Sequence, residues 1–170
     1  MNLNKNIVLL GMMGSGKSTI GYLLSKSINS KFLDVDRIIE KKTGLKINSI
    51  FETKGEIYFR NLEEKITLKL LMNKGKIISL GGGGFLNEKI RKEVLKNNLS
   101  FWLNWKKSTI LNRIHRSKKR PIAFKLSEND LTKLINHRSK IYSEANFKIN
   151  CENLTKNMIV RQIVDLYEKN

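Results

Sequence analysis

The chain has 170 residues, 40% of them hydrophobic, with one proline and one cysteine. That suits one globular domain with a real core, and no apolar run reaches the length of a membrane span. A lone Cys151 excludes an intrachain disulfide and suits a reducing compartment; the N-terminus carries Lys5 but no signal-peptide pattern. Lys and Arg outnumber Asp and Glu 33 to 15, a net charge of +18. The lysines are scattered and no RNA-binding or zinc-finger pattern accompanies them, so a basic surface on an enzyme with anionic ligands is favoured over a nucleic-acid partner.

In chain order, Ile7 to Leu10 is an apolar run that breaks at Gly11. With Gly11, Gly14, Gly16, Lys17 and Ser18 it forms Gly, four residues, Gly-Lys-Ser, the phosphate-binding loop. The glycines let successive N–H groups turn inward around an anion, and the helix expected from near Gly16 adds its positive end. Lys17 is placed to reach the outer phosphates and Ser18 to hold Mg²⁺. Ile20, Leu23, Leu24 and Ile28 repeat at helical spacing. Lys31 to Val35 reads as a second strand with Asp34 and Asp36 at its end, where strand alternation would point both carboxylates to one side. One could then face a metal and the other an acceptor hydroxyl; a turn with a capping aspartate is the plain alternative.

Short helices are expected over Arg37 to Lys42, closed by Gly44, and around Ile47, Ile50 and Phe51. Beyond Gly55 a longer helix runs from about Glu56 to Met72, with Arg60 and Glu63 on one face. Lys76 to Leu80 is a third strand ending in four glycines, where a ligand can approach bare backbone. Asn87 to Lys96 reads as a helix and Leu99 to Leu103 as a fourth strand, with Trp102 and Trp105 packing a sheet edge. A helix from Lys107 carries Ile110, Leu111 and Ile114. The basic stretch from His115 to Pro121 reads as a mobile loop. Leu126 to Tyr142 is helical, with Leu131, Leu134, Ile135 and Ile141 as core candidates. Phe147 to Asn150 is a possible fifth strand, and Leu154 to Tyr167 the last helix, with Ile159, Ile163, Leu166 and Tyr167 on one face. Strands alternating with helices imply an α/β fold with a parallel sheet covered on both sides.

Arg60, Arg120 and Arg138 fall in different segments, and arginine grips carboxylates and phosphates as a planar fork. Taken together, GMMGSGKST, FLDVD at 32–36, FETKGEIYFR at 51–60, SLGGG at 79–83, Arg120-Pro121 and HRSKIY around Arg138 resemble the shikimate kinases, over nearly the whole chain. The resemblance implies a three-layer α/β/α P-loop fold of the nucleoside-monophosphate-kinase-like class with a five-stranded parallel sheet. It also implies a substrate-binding segment over about 34–62 and a lid over about 113–125. It implies transfer of phosphate from ATP to the 3-hydroxyl of shikimate, in aromatic amino-acid biosynthesis, by a cytoplasmic monomer.

Carried over by position, Gly14, Ser15, Gly16, Lys17, Ser18 and Thr19 bind ATP. Ser18 holds Mg²⁺ and Asp34 supports it through water. Asp36 engages the reacting hydroxyl. Arg60 and Arg138 clamp the shikimate carboxylate, with backbone at Gly82 and Gly83 against its ring. Arg120 closes over the phosphates and Arg113 lies against the adenine. Lys140, Ile122 and the loop after Asn150 depart from the family's usual residues. Two competing readings are a gluconate or nucleotide kinase on the same fold and a nucleotide-regulated nucleic-acid binder.

Overall fold

The computed structural model describes residues 3–116 and 127–170. The part of the expected lid loop from 117 on, with Arg120 and Pro121, lies outside the described residues, as does Leu126. Five strands, β1 (Ile7–Leu10), β2 (Lys31–Asp34), β3 (Lys76–Ser79), β4 (Leu99–Asn104) and β5 (Phe147–Asn150), form one sheet. Its order is β2-β3-β1-β4-β5 and every pairing is parallel. The helices are α1 (Lys17–Ser27), α2 (Val35–Thr43), α3 (Ile47–Leu71), α4 (Glu88–Asn97), α5 (Lys107–His115), α6 (Glu128–Tyr142) and α7 (Lys156–Glu168). Each crossover carries helix between strands, as parallel pairing requires.

The alternation of side chains along a strand divides the core in two. On β1, Val8 and Leu10 face α2 to α6, packing with Ile39, Phe59, Ile78 and Ile135. Ile7 and Leu9 face α1 and α7, packing with Leu24, Ile77, Phe101 and Ile163. Leu134, Ile141 and Leu166, expected in the core, are half-buried at its rim.

Three departures from the sequence reading affect the site. Helix α2 starts at Val35 rather than Arg37, because the Asp34 side chain already accepts from the Arg37 amide at 3.3 Å. Asp36 therefore lies in the first turn of a helix, not on a strand. The two helices expected on either side of Gly55 run on as α3, broken only where Gly55 takes φ 81°, ψ 169°. That conformation is essentially open to glycine alone. Finally, β4 is not an edge strand, and Trp102 on it is buried against Tyr142, with ring centroids 6.0 Å apart.

Candidate active site

All strands of a parallel sheet point the same way, so the loops after β1, β2, β3 and β4 gather at one edge, where ligands of open α/β sheets bind. After β1, Gly11, Gly14 and Gly16 adopt φ of 143°, 85° and 90°. A Cβ built on Gly16 meets nothing within 4 Å, so the glycine is needed for its angle and not for space. The Ser15 amide donates to the Met12 carbonyl at 3.1 Å, closing the turn. Lys17 Nζ arches back to the carbonyls of Gly11 and Met12 at 2.8 and 3.1 Å. Ser18 Oγ donates to Asp34 Oδ2 at 2.6 Å. A hydroxyl and a carboxylate meeting beside a phosphate cradle are hard oxygen donors of the kind Mg²⁺ takes.

A cavity of about 840 Å³ opens beside this loop, lined by Gly14, Thr19, Tyr22, Trp105, Arg113 and Leu154 among others. Trp105 Nε1 donates to the Ser15 carbonyl at 2.9 Å, so the indole props the loop from behind. The Arg113 guanidinium lies 3.6 Å over the Trp105 ring and donates to the Gly14 carbonyl at 3.3 Å. Trp105 was expected to pack a sheet edge; instead it joins α5 to the phosphate loop. Only its position one residue past β4, at the ligand edge, marks it in the sequence.

A second group of charged side chains gathers around the glycine turn after β3. It is built from the first turn of α2, the middle of α3, the glycine turn after β3 and α6. Arg60 Nη1 meets Glu63 Oε2 at 2.7 Å and Arg60 Nε meets Glu56 at 3.2 Å. Arg60 also stands over the Phe59 and Phe51 rings at 5.1 and 5.9 Å. Glu63 is only 2% exposed, and among the described residues its Oε1 has no hydrogen-bond partner. Burial pushes the Glu63 carboxyl up, and Arg60 and Arg138 pull it back only in part. Burial works against the Arg60 charge too, but Glu63 and Glu56 more than offset it, leaving Arg60 above the usual arginine range.

The glycines set the shape of this pocket. A Cβ on Gly81 would come 2.5 Å from Glu63 Oε1 and 2.7 Å from Asp36 Oδ1. Two carboxylates thus face the same bare backbone. A Cβ on Gly82 would come 3.4 Å from Arg138 Nη1, and one on Gly83 2.5 Å from Arg60 Nη1. Both guanidinium groups therefore reach the same turn. Arg138 Nε is buried and, among the described residues, has no hydrogen-bond partner. A buried donor without an acceptor is costly unless a ligand supplies one, and a carboxylate fits.

Burial lifts the Asp36 carboxyl from 3.8 to about 6; Lys17 and Arg60 oppose the shift, Asp34 and Glu63 add to it. It is ionised at neutral pH yet basic enough to take a proton. Sequence alternation expected Asp34 and Asp36 on one side of a strand. The helix start separates them: Asp34 turns to Ser18, and Asp36 to Gly81. Glu63 was noted beside Arg60 but not placed in the site, because spacing along α3 does not reveal that Gly81 and Gly84 leave it room.

A phosphate loop and a cluster of buried charged side chains sharing one sheet edge, on this strand order, define a P-loop enzyme of the nucleoside-monophosphate-kinase-like class. Residues 13–168 match the family model described as shikimate kinase. The shikimate kinase of Sulfurihydrogenibium sp. is 40% identical over 94% of this chain and 96% of its own length. Shikimate kinase from Acinetobacter baumannii in complex with shikimate is 32% identical, covers 98% of this chain and 94% of that one, and superposes with a TM-score of 0.89. The enzyme of Aquifex aeolicus gives 34% identity, 97% coverage of both chains and a TM-score of 0.84. The chain belongs to the shikimate kinase family.

Proposed function

We propose that the protein transfers the γ-phosphoryl group of ATP to the 3-hydroxyl of shikimate, giving shikimate 3-phosphate and ADP, a step of chorismate and aromatic amino-acid biosynthesis. Family membership supports this, and so does one observation above others: Arg60 and Arg138 converge on the glycine turn opposite Asp36. A small cyclic acid gripped there by two planar forks presents its hydroxyls to Asp36. A nucleotide kinase has no use for that carboxylate grip; gluconate is itself a carboxylate, and the acceptor assay below separates the two acids.

In this reading the amides from Gly14 to Thr19 and the Lys17 ammonium hold the transferring phosphates. Ser18, with Asp34 through water, holds Mg²⁺, which supplies neutralisation of phosphate charge when bound. Asp36 accepts the hydroxyl proton as the oxygen bonds to phosphorus and the bond to the ADP oxygen breaks. Gly82 and Gly83 let the ring lie on bare backbone. Arg113 and Trp105 flank the nucleoside end. Arg120 lies outside the described residues, and its role over the phosphates rests on the Arg-Pro motif alone. Exclusion of water from the site keeps it from competing as acceptor. Among the described residues no helix is long and apolar enough to cross a membrane. We further read the enzyme as a cytoplasmic monomer, which light scattering of the purified protein checks as to oligomeric state.

A coupled ADP-release assay across acceptors tests the reading. Shikimate is expected to stimulate ADP release with MgATP, and gluconate and nucleoside monophosphates are not. Stimulation by one of these and none by shikimate would overturn it.

A further inference from the structure

Tyr142 is the largest fully buried side chain of the described core, at 1% exposure, yet its polar end is not packed against apolar atoms. Its hydroxyl donates to the Gly82 carbonyl, in the turn on which both guanidinium groups converge. The Met12 thioether, from the phosphate loop, lies 3.9 Å from the same oxygen. Arg138 stands one helical turn earlier on α6, four residues before Tyr142, so the two side chains share a face. The same helix thus supplies a guanidinium to the acid pocket and a clamp on its floor. The charged groups facing the hydroxyl are Arg138 from its own helix and Glu63 and Arg60 from α3. Burial pushes the phenol up to about 12, so at working pH it remains a donor.

The rest of the turn is tied by backbone: the Leu86 and Asn87 amides donate to the Gly83 and Gly84 carbonyls at 3.0 and 3.2 Å, and Tyr142 supplies the side-chain tie at Gly82. Gly81 to Gly84 contribute no side chains, and within the turn the Gly84 amide bonds the Gly81 carbonyl at 3.0 Å. The far end is tied by Arg91, whose Nη1 donates to the carbonyls of Phe85 and Leu86 at 3.1 Å each. Glycine backbone is the most free of any, and a pocket floor made of it needs an external tie to hold one shape.

We infer that Tyr142 is a positioning residue for the acid acceptor: its hydroxyl fixes the Gly82 carbonyl and so holds the glycine floor in register with Arg138 and Arg60. It rests on the proposed acceptor site. Tyr142 meets the phosphate loop only through the Met12 thioether, whereas its hydroxyl bonds the glycine floor directly, so its main effect falls on the acid substrate.

Tyr142→Phe removes the hydroxyl and keeps the ring. The expected result is a three- to tenfold rise in KM for shikimate, the range of one lost hydrogen bond, with KM for ATP unchanged. Hydrogen exchange at the Gly84 amide should quicken while amides of β1 and β3 keep their protection. Ser100→Ala serves as a control: it removes part-buried bonds to Asn146 at 2.7 and 2.9 Å, away from the site, so it lowers Tm without moving either KM. Unchanged KM for shikimate, or an equal rise in both KM values, overturns the inference. Should Tyr142→Phe not fold, 3,5-difluorotyrosine at 142 keeps ring and hydroxyl but has a far more acidic phenol. Its KM for shikimate should then climb at a lower pH than in the native protein, and coincident profiles overturn the inference. Failure of the native protein to use shikimate, by contrast, is the failure of the proposed function and not of the tie.

Discussion

The two ends of the site are built by different means. The nucleotide end is centred on one continuous stretch, Gly11 to Thr19, shaped by glycine angles and the start of α1, with Trp105 and Arg113 packed against it. The acid end is made of side chains from α2, α3 and α6, placed over a glycine turn that follows β3. Phosphate has the same shape in every nucleotide, so a local backbone loop serves it and can be written in one motif. A particular carboxylic acid needs charged groups at set distances from a particular hydroxyl, and no short stretch of chain can supply them. Generality is therefore local in this molecule, and selectivity is long-range.

The sharpest test of that contrast is Asp36→Asn, which leaves the phosphate loop whole. Turnover should fall by about a thousandfold, within the range for a lost general base, while ATP binding persists in titration calorimetry. In the native enzyme kcat/KM for shikimate should fall tenfold per pH unit below about 6, as Asp36 gains its proton. The same group bears on stability with a determined sign. Its folded pKa lies above the unfolded 3.8, so the folded state binds the proton more tightly. Stability is lost as pH rises from 3.8 through 6, and the full cost is present above that. Asp36→Asn should raise Tm at pH 8 and leave it unchanged at pH 3. Because the carboxyl is only half-buried, a gain of a few degrees is expected. Equal Tm values at pH 8 would remove the desolvation account.

Next in size is Arg60→Ala. It should raise KM for shikimate by two orders of magnitude or so and leave KM for ATP alone. It also strands Glu63, buried, without its 2.7 Å partner, which costs about 3–5 kcal/mol, or about 10 °C in Tm. A change confined to ATP would dissolve the division into two ends.

Glu63→Gln is milder, since the amide can still accept from Arg60. KM for shikimate should rise roughly tenfold, the range of one weakened charge-assisted bond. The acid limb of the pH profile should move below 6, because one source of repulsion on Asp36 is gone. A limb that stays in place would mean that Glu63 does not act on Asp36.

Trp105→Ala probes the nucleotide end from behind. It removes the stacking partner of Arg113 and the 2.9 Å bond to the Ser15 carbonyl. KM for ATP should rise about fivefold, as for the loss of one partly exposed cation–π contact, with KM for shikimate unchanged. A loss as large as that of Arg60→Ala would show that the phosphate loop depends on side chains as much as the acid pocket does.

The sequence by itself settled what depends on near neighbours. Strand-like segments of four to six residues separated by helical periodicity gave the alternating fold. The spacing from Gly11 to Ser18 gave the phosphate loop. Arg60 and Arg138 could be proposed as acid ligands only through resemblance, because nothing local marks two arginines 78 residues apart as partners. Helix limits slipped where a side chain competes for the backbone: Asp34 caps α2 and starts it two residues early, which sends Asp34 and Asp36 to different tasks. Only the packed molecule could decide what Glu63, Trp105 and Tyr142 do. Each is an ordinary residue on an ordinary helix or strand end until the sheet brings a glycine turn or a phosphate loop within its reach. Burial and convergence are properties of several segments at once, and a linear pattern records each segment alone.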